Sequence, residues 1–183
     1  MPGITRSNVV TSETLHHRLK FALKFAGPRL LRWLTKFYMP VGKRVVIIGA
    51  RLHGCQTAEF LTKRGRKVTI VDEGPPEIIG EGLVDMVLKP SLLRWLNEKG
   101  VNIITDAKYE EITGKGLIVT TRDGKRQTIE ADTIVTALPL KPDTNLIKGF
   151  EGSAKEIYSI GDCNDPNMII DAVADGMRTA LSI

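Results

Sequence analysis

The sequence predicts an α/β fold: a doubly wound parallel sheet with a β-hairpin or meander layer and an N-terminal helical extension. Short, continuously apolar segments such as residues 45–48 are typical of strands that are buried on both faces of a parallel sheet. These segments alternate with helical patterns, as in α/β proteins. The length of 183 residues fits about one domain with a small appendage.

The N-terminal part predicts a leader followed by two basic helices. Residues 1–11 are expected to be extended, and Thr11 or Ser12 can cap a helix with apolar residues at three- and four-residue spacing. A glycine-proline pair separates it from a second amphipathic helix over residues 29–38, which is rich in Arg and Lys. The pair is predicted either to pack on the following domain or to lie on an anionic membrane surface.

A regular alternation of strands and helices follows. The predicted elements are strand 43–49, helix 53–64, strand 67–72, helix 83–99, strand 101–105, a hairpin of strands 117–121 and 127–129, strand 133–137, strand 156–162 and helix 168–181. Asp123-Gly124 marks the turn of the hairpin. Strand, helix, strand, helix, strand is the order of a mononucleotide-binding unit.

A glycine-containing turn joins the first of these strands to its helix. It comprises Gly49, Ala50, Arg51, Leu52, His53 and Gly54. In the pattern G-x-G-x-x-G, the first glycine makes a tight turn and the third permits close helix–strand packing. Unpaired amides at the start of the helix then bind the diphosphate of a dinucleotide. These six residues are therefore predicted to form a Rossmann-type cofactor site.

Arg51 stands where the pattern has its middle glycine, and two effects are open. Its Cβ would crowd the phosphates, or its guanidinium would turn outward and bind one of them. Asp72 ends the second strand, 23 residues after Gly49, a spacing that suits a carboxylate bonded to the adenosine ribose. Asp72 would repel the 2′-phosphate of NADP(H), so NAD(H) is favoured, although Arg51 can compensate. The alternative for Asp72 is an ordinary strand-end cap.

Three segments carry a family resemblance: GKRVVIIGARLHGCQTAEFL, EADTIVTALPLKPDT and IYSIGDCNDPNMIIDAVADG. They resemble flavoprotein reductases with two dinucleotide-binding domains. More narrowly, they are similar to the C-terminal part of the NADH:flavin oxidoreductase family, which includes 2-enoate and 2,4-dienoyl-CoA reductases. The resemblance covers roughly residues 3–183.

The resemblance implies a division of the chain and its cofactor contacts. Residues 1–40 would form the leader and helical pair, residues 41–149 an NAD(P)H-binding domain, and residues 150–183 the last strand and helix of an incomplete FAD-binding domain. Gly161 and Asp162 would approach FAD, with Asp162 bonded to its ribityl chain. Ala137 would be a cofactor-binding residue near the end of the nicotinamide domain, although the Ala-x-Gly usual there is Ala137-Leu138-Pro139 in this chain.

The implied activity is hydride transfer from NADH to FAD and onward to an unsaturated substrate of the enoate or enoyl type. The chain would act within a larger flavoenzyme that supplies the remaining FAD domain, and in some relatives an FMN-binding barrel and an iron–sulfur site. We expect no catalytic side chain in this part and no activity of the chain alone. The alternative is a non-catalytic module that docks a protein or an anionic membrane through its basic helices.

Charge and cysteine content restrict the other function classes. Residues 1–71 carry 14 Lys and Arg against 2 acidic residues, but no nucleic-acid-binding motif accompanies this charge. The two cysteines, Cys55 and Cys163, form no CxxC pattern, which excludes a zinc module and a disulfide scaffold. No apolar run is long enough for a transmembrane segment. A cytoplasmic protein without a metal site is therefore expected.

Overall fold

The computed structural model describes residues 1–11, 14–15, 39–82, 88–140, 142 and 147–183. The chain divides into two compact units, Met1–Leu138 and Pro139–Ile183, and each is described by itself. The predicted basic helices lie outside the described residues, except at the first helical start. There the Thr14 amide donates to Thr11 Oγ1 at 3.0 Å, as expected of a helix cap.

The larger unit is built on a parallel sheet. Its strands are β1 (Val9–Thr11), β2 (Arg44–Ile48), β3 (Lys67–Val71), β4 (Asn102–Ile104) and β8 (Thr133–Thr136). Among the described residues these five strands lie in the order β1-β8-β2-β3-β4, and every neighbouring pair is parallel. The predicted α/β fold is confirmed, and the predicted leader contributes the edge strand β1.

In the part of the chain that the structure describes, two helices of the regular alternation lie between strands of this sheet. Helix α1 (Leu52–Thr62) joins β2 to β3, and helix α2 (Leu88–Glu98) precedes β4. The bounds of α1 agree with the predicted helix 53–64 to within two residues. Helix α2 lies inside the predicted helix 83–99, of which residues 83–87 are outside the described part. A 3₁₀ turn covers Pro76–Ile78 in the loop after β3.

An antiparallel sheet forms the second layer. Its strands β5 (Lys108–Thr113), β6 (Gly116–Thr120) and β7 (Arg126–Glu130) are consecutive, and three strands take part among the described residues. The predicted hairpin is confirmed as β6 and β7, which pair in antiparallel register. This sheet is the predicted meander layer.

Strand β2 lies between two apolar layers because its side chains alternate across the sheet. Val45 and Ile47 pack with α1 and α2, whereas Val46 and Ile48 pack with residues of the antiparallel sheet. All four side chains are at most 1% exposed. This burial on both faces explains why the strand is apolar without alternation.

In the smaller unit, the structure contradicts the predicted strand 156–162. Residues 156–160 have no strand, and Gly161–Cys163 form a 3₁₀ turn instead of continuing the predicted strand 156–162. A strand needs a neighbouring strand for its main-chain hydrogen bonds, and the described residues of this unit offer none. The predicted final helix is confirmed as α3 (Ile169–Ser182). Among the residues described, no helix has the length and apolar character to cross a membrane.

Gly54 sets how closely α1 approaches the turn after β2. A Cβ at Gly54 would lie 1.8 Å from the carbonyl oxygen of Gly49 and 2.8 Å from its carbonyl carbon. Both are main-chain atoms, so the contact cannot be relieved by rotating a side chain. The third glycine of the fingerprint is therefore required by packing, as the sequence predicts.

We predict that Gly54→Ala destabilises the chain by about 2–3 kcal/mol, because the added methyl group must displace the helix from the turn. Gly114→Ala is the matched control, since a Cβ at Gly114 meets nothing within 4 Å. Its effect should stay within about 0.5 kcal/mol. Urea unfolding measures both values, and equal stability of the two variants would contradict the packing role of Gly54.

Candidate functional site

The predicted residues of the first unit meet at one edge of the parallel sheet. Gly49 follows β2, Asp72 follows β3 and Ala137 follows β8. The Gly49 amide donates to the Val71 carbonyl oxygen at 2.9 Å, and the Ala137 amide donates to the Ile48 carbonyl oxygen at 2.8 Å. In the sheet, β2 has β3 as its neighbour on one side and β8, which comes much later in the sequence, on the other. Ligands of open α/β sheets bind at such a switch point.

Gly49 occupies a position that other residues cannot adopt. Its φ is +109°, and a Cβ there would lie 2.5 Å from the carbonyl oxygen of Ala137. Both the backbone conformation and the neighbouring strand therefore require glycine. The first glycine of the fingerprint makes the tight turn as predicted.

The start of α1 offers main-chain donors to a ligand. Within the part of the chain that the structure describes, the amides of His53 and Gly54 have no hydrogen-bond acceptor. The Leu52 amide, in contrast, donates to the carbonyl oxygen of Glu81 at 2.9 Å. Helix N-termini carry a positive dipole end, so the two available amides suit an anion, and their predicted role as cofactor ligands stays a prediction.

Arg51 adopts an ordinary conformation before the helix, with φ of −66° and ψ of −173°. The middle position of the fingerprint therefore needs no glycine for backbone reasons. The Arg51 side chain points to the loop after β3, where its Nε lies 3.1 Å from Glu81 Oε2. Both predicted effects of Arg51 on a phosphate, crowding by its Cβ and binding by its guanidinium, stay predictions.

Asp72 is held by main-chain donors at the ends of two neighbouring strands. Its Oδ2 accepts the Ala50 amide at 2.6 Å, and its Oδ1 accepts the Gly74 amide at 2.7 Å. Each carboxylate oxygen can accept a second hydrogen bond, so a ribose hydroxyl can still bind. Asp72 thus both fixes the turn and remains a candidate ribose ligand, and the second role stays a prediction.

The loop after β3 docks on the glycine turn, which sequence reasoning missed. The Gly80 amide donates to the Ala50 carbonyl oxygen at 2.8 Å, beside the bond between Leu52 and Glu81. The Gly-Glu-Gly composition indicates a loop at residues 80–82, but no local signal shows where that loop packs. Glu81 therefore belongs to the site without having been predicted.

Cys55 lies under the turn and is chemically protected. Its side chain is fully buried, and its Sγ donates to the Ala50 carbonyl oxygen at 3.1 Å. Burial raises the pKa of the Cys55 thiol to about 11. A thiol with such a pKa remains protonated near neutral pH, so Cys55 supports the turn instead of reacting.

The smaller unit holds the other two predicted residues. Gly161 has φ of +61°, and its amide donates to Asp175 Oδ2 at 3.1 Å. This hydrogen bond, together with Arg178, lowers the pKa of Asp175. Asp162 is exposed. Asp175 was not predicted, because the bond spans 14 residues and depends on how α3 packs against the turn.

The match to a known family decides the broad class of the protein. The family model described as pyridine nucleotide-disulphide oxidoreductase matches residues 1–179. The chain belongs to the pyridine nucleotide-disulphide oxidoreductase family. Oxidoreductases of this family use NAD(H) and FAD. The coarse part of the predicted resemblance is thereby confirmed, while membership of the narrower 2-enoate reductase group is not.

Individual relatives are longer than this chain. An NADH oxidase of Thermoanaerobacter brockii is 32% identical over 144 residues, which are 77% of this chain and 21% of the relative. A rubredoxin-NAD(+) reductase of Acinetobacter baylyi is 30% identical over 143 residues, 68% of this chain and 35% of the relative. The chain therefore spans about a fifth to a third of the curated relatives it matches.

A solved structure supports the fold over the full length. The complex of 2-naphthoyl-CoA reductase with 2-naphthoyl-CoA is similar at a TM-score of 0.72 and 24% identity. The match covers 100% of this chain and 24% of that chain. At this identity the likeness shows the fold alone.

We predict that the stability of the chain falls as the pH rises from about 9 to about 11, because Cys55 then ionises in the unfolded chain before it ionises in the fold. The raised pKa gives a contribution that is complete below pH 9 and is lost through pH 11, up to about 2 kcal/mol. Urea unfolding under reducing conditions measures it. Cys55→Ala should lose less stability over this range, whereas Cys163→Ala should behave like the unchanged chain. An identical loss in all three would contradict the prediction.

Proposed function

We propose that this chain is the nicotinamide-dinucleotide-binding part of an FAD-dependent oxidoreductase, in which hydride passes from NADH to FAD and on to an unsaturated substrate. The observation that supports this most is the pair of available amides at His53 and Gly54, directly after the close turn at Gly49. Two donors at a helix start beside a sheet switch point suit the diphosphate of a dinucleotide.

The residues of the glycine turn fit this cofactor and have distinct tasks. The amides of His53 and Gly54 would hold the diphosphate, and Asp72 would accept a ribose hydroxyl. Ala137 directly follows the neighbouring strand β8, and its main chain lies against Gly49 while its side chain is buried. The nicotinamide supplies the hydride when it is bound, and the chain binds and orients it.

The smaller unit supports a contact with the remainder of a flavoenzyme. Helix α3 exposes a row of apolar side chains, each 65–86% exposed: Ile169, Ile170, Val173, Met177 and Leu181. An apolar face of this extent is unusual on an isolated domain. We propose that the remaining FAD domain covers it, and that Gly161 and Asp162 contact FAD there. An FMN barrel and an iron–sulfur site are further parts that the parent enzyme would carry.

The nature of the substrate rests on the sequence resemblance alone. The 2-enoate and 2,4-dienoyl-CoA reductases suggest an enoate or enoyl substrate, whose binding site would lie outside this chain. A reducing, cytoplasmic compartment is proposed on composition, since both cysteines are free.

One observation favours a second candidate function. Glu81 already pairs with Arg51 and accepts the Leu52 amide, so two groups beside the available amides of His53 and Gly54 are engaged within the chain. A domain that no longer bound nucleotide would tolerate this, and it would instead dock a protein or an anionic membrane through the basic helices that the sequence predicts. Salt-sensitive binding to vesicles containing phosphatidylserine, with no response to nucleotide, would favour this candidate.

We predict saturable binding of NADH to the purified chain, with weaker binding of NADPH because Asp72 repels its 2′-phosphate. Isothermal titration measures both affinities. Asp72→Ala should weaken NADH by about tenfold and reduce the preference over NADPH, because it removes a charged acceptor from the ribose. Asp123→Ala, in the distant β6–β7 turn, should change neither affinity. No saturable binding at millimolar NADH would contradict the proposed function.

A further inference from the structure

An ion pair lies beside the available amides of the glycine turn. Arg51 Nε and Glu81 Oε2 are 3.1 Å apart, and the two side chains are 48% and 54% exposed. Nε is one of the three nitrogens of the Arg51 guanidinium, and among the described residues Glu81 is the one carboxylate paired with this side chain. The guanidinium therefore keeps donors that are available to a second anion.

The main chain fixes where Glu81 lies, independently of its carboxylate. The Leu52 amide donates to the Glu81 carbonyl oxygen, and the preceding Gly80 amide donates to the Ala50 carbonyl oxygen. Gly82 packs so close that a Cβ there would be 3.3 Å from Leu52 Cβ. A substitution of the Glu81 side chain should consequently leave the loop in place.

The carboxylate of Glu81 occupies a place that favours negative charge. It lies next to a cationic side chain at the positive end of the α1 dipole. A dinucleotide diphosphate requires the same two features. Because the ion pair is half exposed to water, it contributes little stability and can be exchanged at small cost.

We propose that Arg51 leaves Glu81 and pairs with the diphosphate of the dinucleotide, so that Glu81 is an internal competitor of the cofactor. Arg51 is then a binding residue that replaces the close approach of a middle glycine with a charge-assisted contact. The freed Glu81 carboxylate opposes binding because it carries the same sign as the diphosphate. This inference rests on the proposed function.

Four chains separate the possible roles: the unchanged chain, Glu81→Gln, Arg51→Ala and the double variant. Titration with NADH gives the four dissociation constants. Glu81→Gln should tighten binding about threefold to tenfold, since it frees Arg51 and removes a like charge. Removing Arg51 from the Glu81→Gln variant should then weaken binding about tenfold, since a charge-assisted contact is lost.

The ligand series identifies the diphosphate as the group concerned. ADP-ribose should show the same gain from Glu81→Gln as NADH, whereas adenosine, which has no phosphate, should show none. Glu59→Gln is the matched control, because it breaks another exposed ion pair on α1, that with Lys63. It should not change the affinity for any of the three ligands.

The results distinguish failure of the inference from failure of the proposed function. Equal affinity of Glu81→Gln and the double variant would overturn the inference, since Arg51 would then only neutralise Glu81. Tighter binding after Arg51→Ala in both backgrounds would overturn it in favour of crowding by the Arg51 side chain. In both cases nucleotide still binds and the proposed function stands. Absence of NADH binding in all four chains would overturn both.

Discussion

The close approach of Gly54 to the Gly49 carbonyl group, which leaves no space for a Cβ, is the constraint on which the rest of the site depends. It brings the first turn of α1 against the end of β2, so that the helix starts at the switch point of the sheet. This placement puts the amides of His53 and Gly54, which have no acceptor among the described residues, at the carboxyl ends of the strands. The same closeness leaves Ala50 fully buried, where its amide and carbonyl group hold Asp72 and the loop after β3.

Most of the larger unit can be predicted from its sequence because its signals are local. Runs such as residues 45–48 must be apolar throughout, since one set of side chains faces the helices and the other faces the antiparallel sheet. The hairpin around Asp123-Gly124 likewise depends on residues that are adjacent in sequence. The predicted strand 156–162 failed for the opposite reason, since a strand exists only where a neighbour accepts its main-chain hydrogen bonds.

The site is predictable where it follows from the fingerprint and unpredictable where distant segments meet. Gly49 and Gly54 are recognisable because their spacing expresses a steric requirement. Glu81 is not, because its position depends on a loop that returns to the turn through main-chain hydrogen bonds. The same loop changes the meaning of Arg51. On sequence it is a defect in a glycine pattern, whereas in the structure it is a cation balanced by a carboxylate.

The central claim is that the first turn of α1 presents its free amides to a diphosphate, and an amide-resolved NMR titration with ADP-ribose tests it most directly. The account predicts that the resonances of His53 and Gly54 shift saturably and more than those of the β6–β7 turn. Shifts confined to other surfaces, with these two amides unchanged at saturation, would contradict it.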